Sequence, residues 1–471
     1  DEITWVLTSY LVSNAVVLPM TGWLARMFGR KRFLITCITL FTLASLMCGA
    51  APSLGLLIFF RVLQGAAGGA LIPMSQAIMM ETFPPYQQGM AMAIFGVGAM
   101  FGPIIGPALG GWITDNMSWR WIFYINIPIG IVAVVMATFF IYDPSYLKRS
   151  RTSIDYWGLA LLTVGLGALQ IVLDKGQQDD WFNSGFIVAC SVLTAVSLAA
   201  LVYVELTHPH PIVNLRLFKN VSFSAGNLVM FAVGFCLYSS IMLIPLFLQT
   251  LMGYNATMAG MVLAPGGLAT LICMPFVGAV IQRYDGRKVV FLGLLIAAYS
   301  MHIMQGFTLE AAYRDFVWPR VVLGIGLAMI FVPLTTVTLA TISKEEMGNA
   351  TGIFSLLRNI GGSVGIAISA TLLARYSQFY QTGLVAHVNP YNPLAQSQIA
   401  MLKGAMLNRG LGPVAAEQGA YAIIYGKVVR QAYMLSYNRI FFIVGIAFLV
   451  IIPLLLLLKK PQKHLPPGAA H

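Results

Sequence analysis

The sequence predicts an all-α polytopic membrane protein, and composition, hydropathy and the length of its apolar runs support this fold class. Of the 471 residues, 58% are hydrophobic and 9% are charged, and the mean hydropathy is +0.80. A soluble domain carries about 25% charged residues. Apolar runs recur along the whole chain, and about 20 apolar residues suffice for a helix to cross a bilayer. The three observations together exclude a water-soluble fold.

Thirteen of these runs are long enough to span a membrane. Several exceed the length that the lipid core requires, and we expect them to tilt or to extend beyond it. Their approximate limits are 5–24, 33–51, 55–80, 90–114, 121–142, 157–173, 184–206, 222–251, 257–283, 289–308, 317–342, 349–376 and 436–458.

Basic residues are concentrated in alternate connections, which predicts the orientation of the chain. They are Arg26, Arg30, Lys31 and Arg32 after the first run, Lys148, Arg149 and Arg151 after the fifth, Arg216 and Lys219 after the seventh, Arg287 and Lys288 after the ninth, Lys344 after the eleventh, and Lys459, Lys460 and Lys463 after the last. Cytoplasmic loops are enriched in Lys and Arg, so these connections and the C-terminus are predicted to be cytoplasmic. Asp1 then lies outside, and we expect one further span before it.

The net charge of +12 is therefore explained by the basic cytoplasmic connections. A nucleic-acid partner is not expected, since no basic patch with interleaved aromatic residues occurs. All five cysteines fall inside apolar runs without paired spacing, which predicts buried apolar side chains and no metal site or other cofactor. No Ser/His/Asp constellation is present, so an enzyme is not expected.

An internal repeat divides the chain. The segment Pro19–Gly22 leads to Gly29–Lys31, and Pro275–Gly278 leads to Gly286–Lys288 with one residue inserted. With one span missing at the start, the runs divide into six, two extra and six, and parallel six-span repeats describe the major facilitator fold. The predicted domains are an N-terminal bundle at 1–142, two linker spans at 143–221, a C-terminal bundle at 222–458 with a long outer loop at 377–435, and a cytoplasmic tail at 459–471. The loop is expected to be partly ordered, either as a partner contact or as a spacer.

A glycine stripe marks the fourth run. Glycine recurs at every fourth residue and proline follows the same step, which keeps small residues on one helix face where a second backbone can approach. Such a helix is suited to sliding against a partner, or it is the packing face of an ordinary bundle. The stripe comprises Gly98, Gly102, Pro103, Gly106, Pro107, Gly110 and Gly111.

Four motifs resemble those of the fourteen-span drug:proton antiporters of the EmrB/QacA type in the major facilitator superfamily, with the long outer loop most like the EmrB branch. They are Gly22-Trp-Leu-Ala-Arg-Met-Phe-Gly29-Arg30-Lys31, Arg61-Val-Leu-Gln64-Gly65, Gly98–Gly111, and Arg358-Asn-Ile-Gly361-Gly362-Ser363. The resemblance implies proton-coupled export of amphipathic or apolar compounds across a bacterial inner membrane by alternating access. It also implies a periplasmic adaptor and an outer-membrane channel as partners. A fatty acid, a siderophore or another specific metabolite is the alternative cargo.

Two departures from the family pattern matter. Arg26 stands where an acidic residue is usual, and Met27 where a basic one is usual, so the charge network of this loop must differ. The family's proton-linked aspartate lies on the first span, which this sequence lacks, and no Asp or Glu occurs in the middle of any run. The candidates for proton coupling are therefore Arg61, Arg358 and His302, with snorkelling or structural packing as the alternatives.

Two further sets of residues are candidates. A gate on the cytoplasmic side is predicted from the basic loops and their neighbours, which would join the two halves: Gly22, Gly29, Arg30, Lys31, Asp285 and Arg287. A substrate cavity needs adaptable apolar and polar side chains, for which we select Gln64, Tyr238, Met242 and Gln249.

Overall fold

The computed structural model describes residues 4–143, 155–209 and 211–459, with the side chains of residues 103, 104, 107 and 108 left out. Within these ranges the chain is helical and contains no strand. The α-helices are α1 Thr4–Phe28, α2 Arg30–Ala50, α3 Leu54–Gly69, α4 Leu71–Thr82, α5 Gln88–Asn116, α6 Trp121–Tyr124, α7 Asn126–Phe140, α8 Tyr156–Lys175, α9 Gly185–Thr207, α10 Val221–Thr250, α11 Ala256–Arg283, α12 Gly286–Met304, α13 Tyr313–Leu339, α14 Met347–Val385, α15 Pro393–Leu407 and α16 Pro413–Val450. Short 3-10 helices occupy Trp181–Asn183, Leu215–Lys219, Lys344–Glu346 and Ile452–Leu457.

The predicted fold class is confirmed. Twelve helical segments in the described ranges are long and apolar enough to cross a membrane, with α3–α4 and α6–α7 each counted as one. The 29-residue helix α5 occupies the remaining predicted position. The connection at 144–154 and the tail from residue 460 onward, both of which carry predicted basic residues, lie outside the described residues.

Asparagine and aspartate begin several of the helices. Their side-chain oxygens accept hydrogen bonds from backbone N–H groups of the first turn, which otherwise lack a partner. These N-cap residues are Asp155 of α8, Asn220 of α10, Asn255 of α11, Asp285 of α12 and Asn392 of α15. The polar residues between the apolar runs therefore set where each span starts.

Successive spans alternate in direction, so the helix termini are gathered at two opposite ends of the molecule. We call the end at which α1 finishes and α14 begins the Glu346 end, and the opposite end, at which α5 finishes, the Asn116 end. We call α1–α7 the first half and α10–α16 the second half. The hairpin α8–α9 contacts α1 of the first half and α14 of the second.

The predicted outer loop at 377–435 is a helical projection. Helix α14 has 39 residues and α16 has 38, so each is about 57–59 Å long at 1.5 Å per residue, whereas the hydrocarbon core is about 30 Å thick. Between them α15 packs on α16, with Lys403 Nζ 2.6 Å from Glu417 Oε2. The segment that we expected to be a partly ordered loop is helical over most of its length, and Asn389-Pro390 and Asn392-Pro393 lie where α14 gives way to α15.

Helix α14 provides a test of the close packing within the second half. A Cβ at Gly361 would overlap the carbonyl of Phe231 on α10, whereas Gly383 on the same helix has nothing within 4 Å. We expect Gly361→Ala to destabilise the protein by about 1–3 kcal/mol through overpacking. Gly383→Ala should be neutral or stabilise it by up to about 1 kcal/mol through helix propensity. Thermal unfolding in detergent measures both, and equal midpoints for the two variants would contradict the close contact of α10 with α14.

Candidate functional site

The two halves meet at the Glu346 end through helices α1 and α14. A Cβ at Gly22 would overlap the backbone N of Asn349, and one at Gly348 would lie 3.1 Å from the Cα of Gly22. One turn further along, a Cβ at Gly352 would lie 2.7 Å from the carbonyl oxygen of Leu18. Only glycine permits this approach of backbone to backbone. The predicted gate residue Gly22 therefore lies in the contact between the halves.

Helices α5 and α11 form a second contact between the halves at the same end. A Cβ at Gly278 would lie 2.7 Å from the Cβ of Ala93, and one at Gly89 would lie 2.6 Å from the Cδ1 of Ile281. Gly22 and Gly278 are the corresponding glycines of the internal repeat. The repeat thus supplies one contact glycine to each half.

Glu346 is the polar centre of this end of the molecule. Its Oε1 accepts a hydrogen bond from Arg26 Nη1 at 3.2 Å, and its Oε2 accepts from Asn349 Nδ2 at 2.8 Å and from Asn214 Nδ2 at 3.2 Å. Its partners belong to α1, to α14 and to the connector between α9 and α10. We call these four residues the latch. Arg26, which stands where related motifs have an acidic residue, pairs with an acid of the second half. The motifs did not indicate that this acid is Glu346.

The glycine stripe faces open space in this structure. A Cβ built at Gly98, Gly102, Gly106, Gly110 or Gly111 would have no described neighbour within 4 Å outside its own helix. At Gly96, before the stripe, a Cβ would be 2.7 Å from the sulfur of Met274. The close approach of a second backbone to the stripe is therefore not seen here and stays a prediction. The side chains of Pro103 and Pro107 lie outside the described residues.

Arg61 points into the first half. Its Nε donates to the carbonyl of Val6 at 3.0 Å, and its Nη1 donates to Oε1 of Gln64 at 2.7 Å. Its guanidinium lies 4.3 Å from the ring centroid of Tyr10. Val6 and Tyr10 belong to α1, so Arg61 joins α3 to α1. The role of Arg61 in proton coupling stays a prediction.

The other two candidates for proton coupling lie in different surroundings. Arg358 is 8% exposed, lies 5.5 Å from the ring centroid of Phe331, and has no hydrogen-bond partner for Nε among the described residues. His302 is exposed and lies 2.5 Å from Nε2 of Gln305, near the end of α12. Helix α12 packs on α13 and α16. The role of His302 in proton coupling stays a prediction.

The basic gate residues of the first half have partners within that half. Arg30 donates to Glu81 through Nη1 at 2.5 Å and Nη2 at 2.8 Å, and both side chains are buried. The backbone N–H of Lys31 donates to Oδ1 of Asp143 at 2.8 Å, and its Nζ donates to the carbonyl of Thr138 at 2.6 Å. These contacts join α2 to α4 and to the end of α7.

The second half repeats this arrangement. Arg287 Nη2 lies 2.8 Å from Asp285 Oδ2, and its Nη1 donates to the carbonyl of Leu458 at 3.0 Å.

The remaining predicted gate residue lies in the first half. Gly29, before α2, has φ of 87°, a conformation that favours glycine. Our prediction that the basic loops join the two halves is wrong in its contacts, because each loop binds its own half and the Arg26–Glu346 pair joins the halves instead.

The structure places the predicted cavity residues on two helices, one in each half, and their role in substrate binding stays a prediction. Gln64 is buried on α3, where Arg61 and Cys48 occupy its Oε1. The other three lie along α10: the ring of Tyr238 packs against Gly362, Met242 is half-buried and Gln249 is exposed. A cavity of about 500 Å³ at the Asn116 end of the second half is lined by other residues, among them Ile303, Phe307, Arg314 and Trp318.

Comparisons with known proteins agree with the motifs. The model of the Major Facilitator Superfamily matches residues 1–366. The chain is 37% identical over 461 residues to the multidrug export protein EmrB of Haemophilus influenzae, which covers 97% of this chain and 88% of that protein. It is 36% identical over 464 residues to the fatty acid resistance protein FarB of Neisseria gonorrhoeae, covering 97% and 89%. The crystal structure of the human organic anion transporter MFSD10 (TETRAN) matches with a TM-score of 0.57 and 13% identity, over 94% of this chain and 83% of that one.

The family match and the EmrB-type relatives place the chain among multi-pass membrane transporters. The chain belongs to the major facilitator superfamily. Its similarity to EmrB-type multidrug export proteins, predicted from the motifs, is confirmed.

The latch predicts a selective effect of charge removal at Glu346. A half-exposed ion pair contributes about 0.2–1 kcal/mol, and Gln at this position also weakens the two amide hydrogen bonds. At the Glu346 end the two halves are either in contact or separated. We expect Glu346→Gln to lower the ratio of molecules in contact to molecules separated about fivefold, which corresponds to about 1 kcal/mol. Spin labels at the exposed residues Arg32 and Lys344, one in each half, report this ratio as a distance distribution. The neighbouring exposed glutamate supplies the control, since Glu345→Gln removes the same charge and should leave the distribution unchanged.

Proposed function

We propose that the protein is an inner-membrane multidrug exporter that exchanges protons for amphipathic or apolar toxic compounds by alternating access. The observation that carries the proposal is the asymmetric meeting of the halves. They touch through Gly22, Gly278 and the latch at one end, whereas the Cβ positions of the stripe glycines face open space toward the other. The printed names of similar proteins support multidrug export as the activity.

The orientation follows from the basic residues. Arg26, Arg30, Lys31 and Arg287 all lie at the Glu346 end, and the positive-inside rule assigns this end to the cytoplasm. The arrangement then corresponds to a state closed toward the cytoplasm and open outward, from which a bound compound is released. Separation of the two glycine contacts gives the opposite state, in which the compound is taken up from the cytoplasm or the inner leaflet.

Arg61 is proposed as the fixed cation of proton coupling. A permanent positive charge lowers the proton affinity of a carboxylate brought beside it, so movement of such an acid toward or away from Arg61 couples proton release to the rocking of the halves. Gln64 holds the guanidinium in place through its hydrogen bond of 2.7 Å. Arg358 on α14 is a second buried cation, in the other half.

An accessory protein is proposed to bind the helical projection, followed by an outer-membrane channel. The projection exposes large apolar side chains beyond the length of a membrane span, with Tyr391 94% and Leu394 77% exposed at its tip. A photo-crosslinking amino acid at Tyr391 should capture a periplasmic adaptor in cells, whereas one at the buried Ile399 of α15 should not. Capture from neither position would remove the adaptor from the proposal.

The coupling role of Arg61 has a direct test. Arg61→Ala, and also Arg61→Lys because one ammonium cannot reach both Val6 and Gln64 in the same geometry, should reduce dye efflux driven by a proton gradient by at least tenfold in everted vesicles at unchanged expression. Arg409→Ala removes an exposed cation from the projection and should leave efflux intact. Efflux by Arg61→Ala at the wild-type rate would remove Arg61 from the mechanism.

Fatty-acid export is the second candidate function, because FarB is a fatty acid resistance protein that matches nearly the whole chain. Long-chain fatty acids added to the same vesicles separate the two cargoes. If drugs are the main cargo, fatty acids should inhibit dye efflux weakly. Strong competition, together with fatty-acid transport that needs the proton gradient, would favour the second function.

A further inference from the structure

Two buried carboxylates face each other in the α8–α9 hairpin, away from Arg61. Asp155, the N-cap of α8, is 5% exposed, and Glu205, near the end of α9, is 0% exposed. Oδ1 of Asp155 accepts from the backbone N–H of Gly158 at 2.8 Å, and Oε2 of Glu205 accepts from that of Val213 at 3.2 Å. One oxygen of each carboxylate thus accepts a backbone hydrogen bond.

The second oxygens have no hydrogen-bond partner among the described residues. They lie 2.5 Å (Asp155 Oδ2) and 3.1 Å (Glu205 Oε1) from the point at which Gly158 would carry a Cβ. Both therefore converge on the space that this glycine leaves open. A buried polar atom without a hydrogen-bond partner destabilises the folded protein by about 1–3 kcal/mol, and by more when the atom is charged. A positively charged ligand bound between the two oxygens would remove this cost.

The surrounding charges favour a single proton. Two carboxylates that share a buried site repel each other when both are ionised, and a proton on one of them removes this repulsion. Glu205 is fully buried, so it is the acid that keeps the proton. Nδ1 of His208 lies 4.0 Å from Asp155 Oδ2, and Arg216 beside it donates to the carbonyls of Leu206 and His208 rather than to either acid.

The pair is linked to the latch through one peptide. Val213, which donates to Glu205, is followed by Asn214, whose Nδ2 donates to Oε2 of Glu346. Glu346 in turn binds Arg26 of the first half. We propose that Asp155 and Glu205 form a proton-binding site, and that the proton they share holds the α9–α10 connector in the position that completes the latch.

The sign of the pH effect follows from this arrangement. With the shared proton present, the two carboxylates attract each other and the connector is held. Loss of the proton as the pH rises places two negative charges across Gly158, and their repulsion moves Glu205 and with it the connector. The joined state of the Glu346 end is therefore favoured at low pH and weakened at high pH. This site does not depend on the proposed export function.

Infrared difference spectroscopy of the full chain in nanodiscs tests the site without a substrate. The wild-type protein should show the carbonyl band of a protonated carboxyl group at neutral pH that disappears on titration to high pH. Glu205→Gln should lack this band, whereas Glu310→Gln, at an exposed glutamate, should retain it. Absence of the band from the wild type, or its persistence in Glu205→Gln, overturns the proposal. A band that responds to sodium at constant pH also overturns it, in favour of a metal-cation site.

The distance between labels at Arg32 and Lys344 tests the link to the latch. Labels are attached to unnatural amino acids, so the five native cysteines stay in place. The wild type should shift toward longer distances as the pH rises, and Glu205→Gln, which imitates the protonated acid, should keep the short distance at every pH. Asn214→Ala should abolish the pH response while leaving the infrared band unchanged. A pH-independent wild-type distance, or a full response in Asn214→Ala, contradicts the link.

Discussion

The approach of glycine to backbone at the Glu346 end is the contact on which the arrangement of the halves depends. Helices in lipid gain little from hiding apolar surface from one another, because the acyl chains are equally apolar, so small residues that admit close van der Waals packing decide where helices meet. Gly22 against Gly348 and Gly278 against Ala93 satisfy this requirement on the two sides of the interface. The polar groups of the latch surround the first of these contacts.

Charged pairs differ in strength between and within the halves. Arg30 and Glu81 form a buried pair with two short hydrogen bonds inside the first half, and breaking such a pair would leave an uncompensated buried charge. Arg26 and Glu346 form a single bond of 3.2 Å, and their side chains are 31% and 26% exposed. Water can replace the second interaction at little cost. The charged pair between the halves is thus easier to break than the pair inside the first half.

The α8–α9 hairpin contacts both halves. Gln170 exchanges hydrogen bonds with Ser363 of α14 at 2.9 and 3.1 Å, Trp181 donates to Thr371 of the same helix at 3.1 Å, and Lys175 donates to Thr4 of α1. At the Glu346 end the hairpin continues into the connector that carries Asn214. A pair of extra spans that holds both halves in this way is placed to sense their separation, which gives the buried Asp155 and Glu205 their significance.

The membrane spans, the internal repeat and the family could be predicted from the sequence, because apolar run length, basic loops and glycine spacing are local properties of the chain. The repeat also identified Gly22 and Gly278 as equivalent positions, and the motif match identified Arg61 as a functional candidate. Which charges pair could not be predicted, because the pairing depends on contacts between distant parts of the chain. Arg26 and Glu346 are 320 residues apart, and Asp155 and Glu205 stood at the edges of their runs, where a solvated position was equally consistent with the pattern. The glycine stripe shows the same limit, since its spacing permits a close contact but the path of the neighbouring helix decides whether one forms.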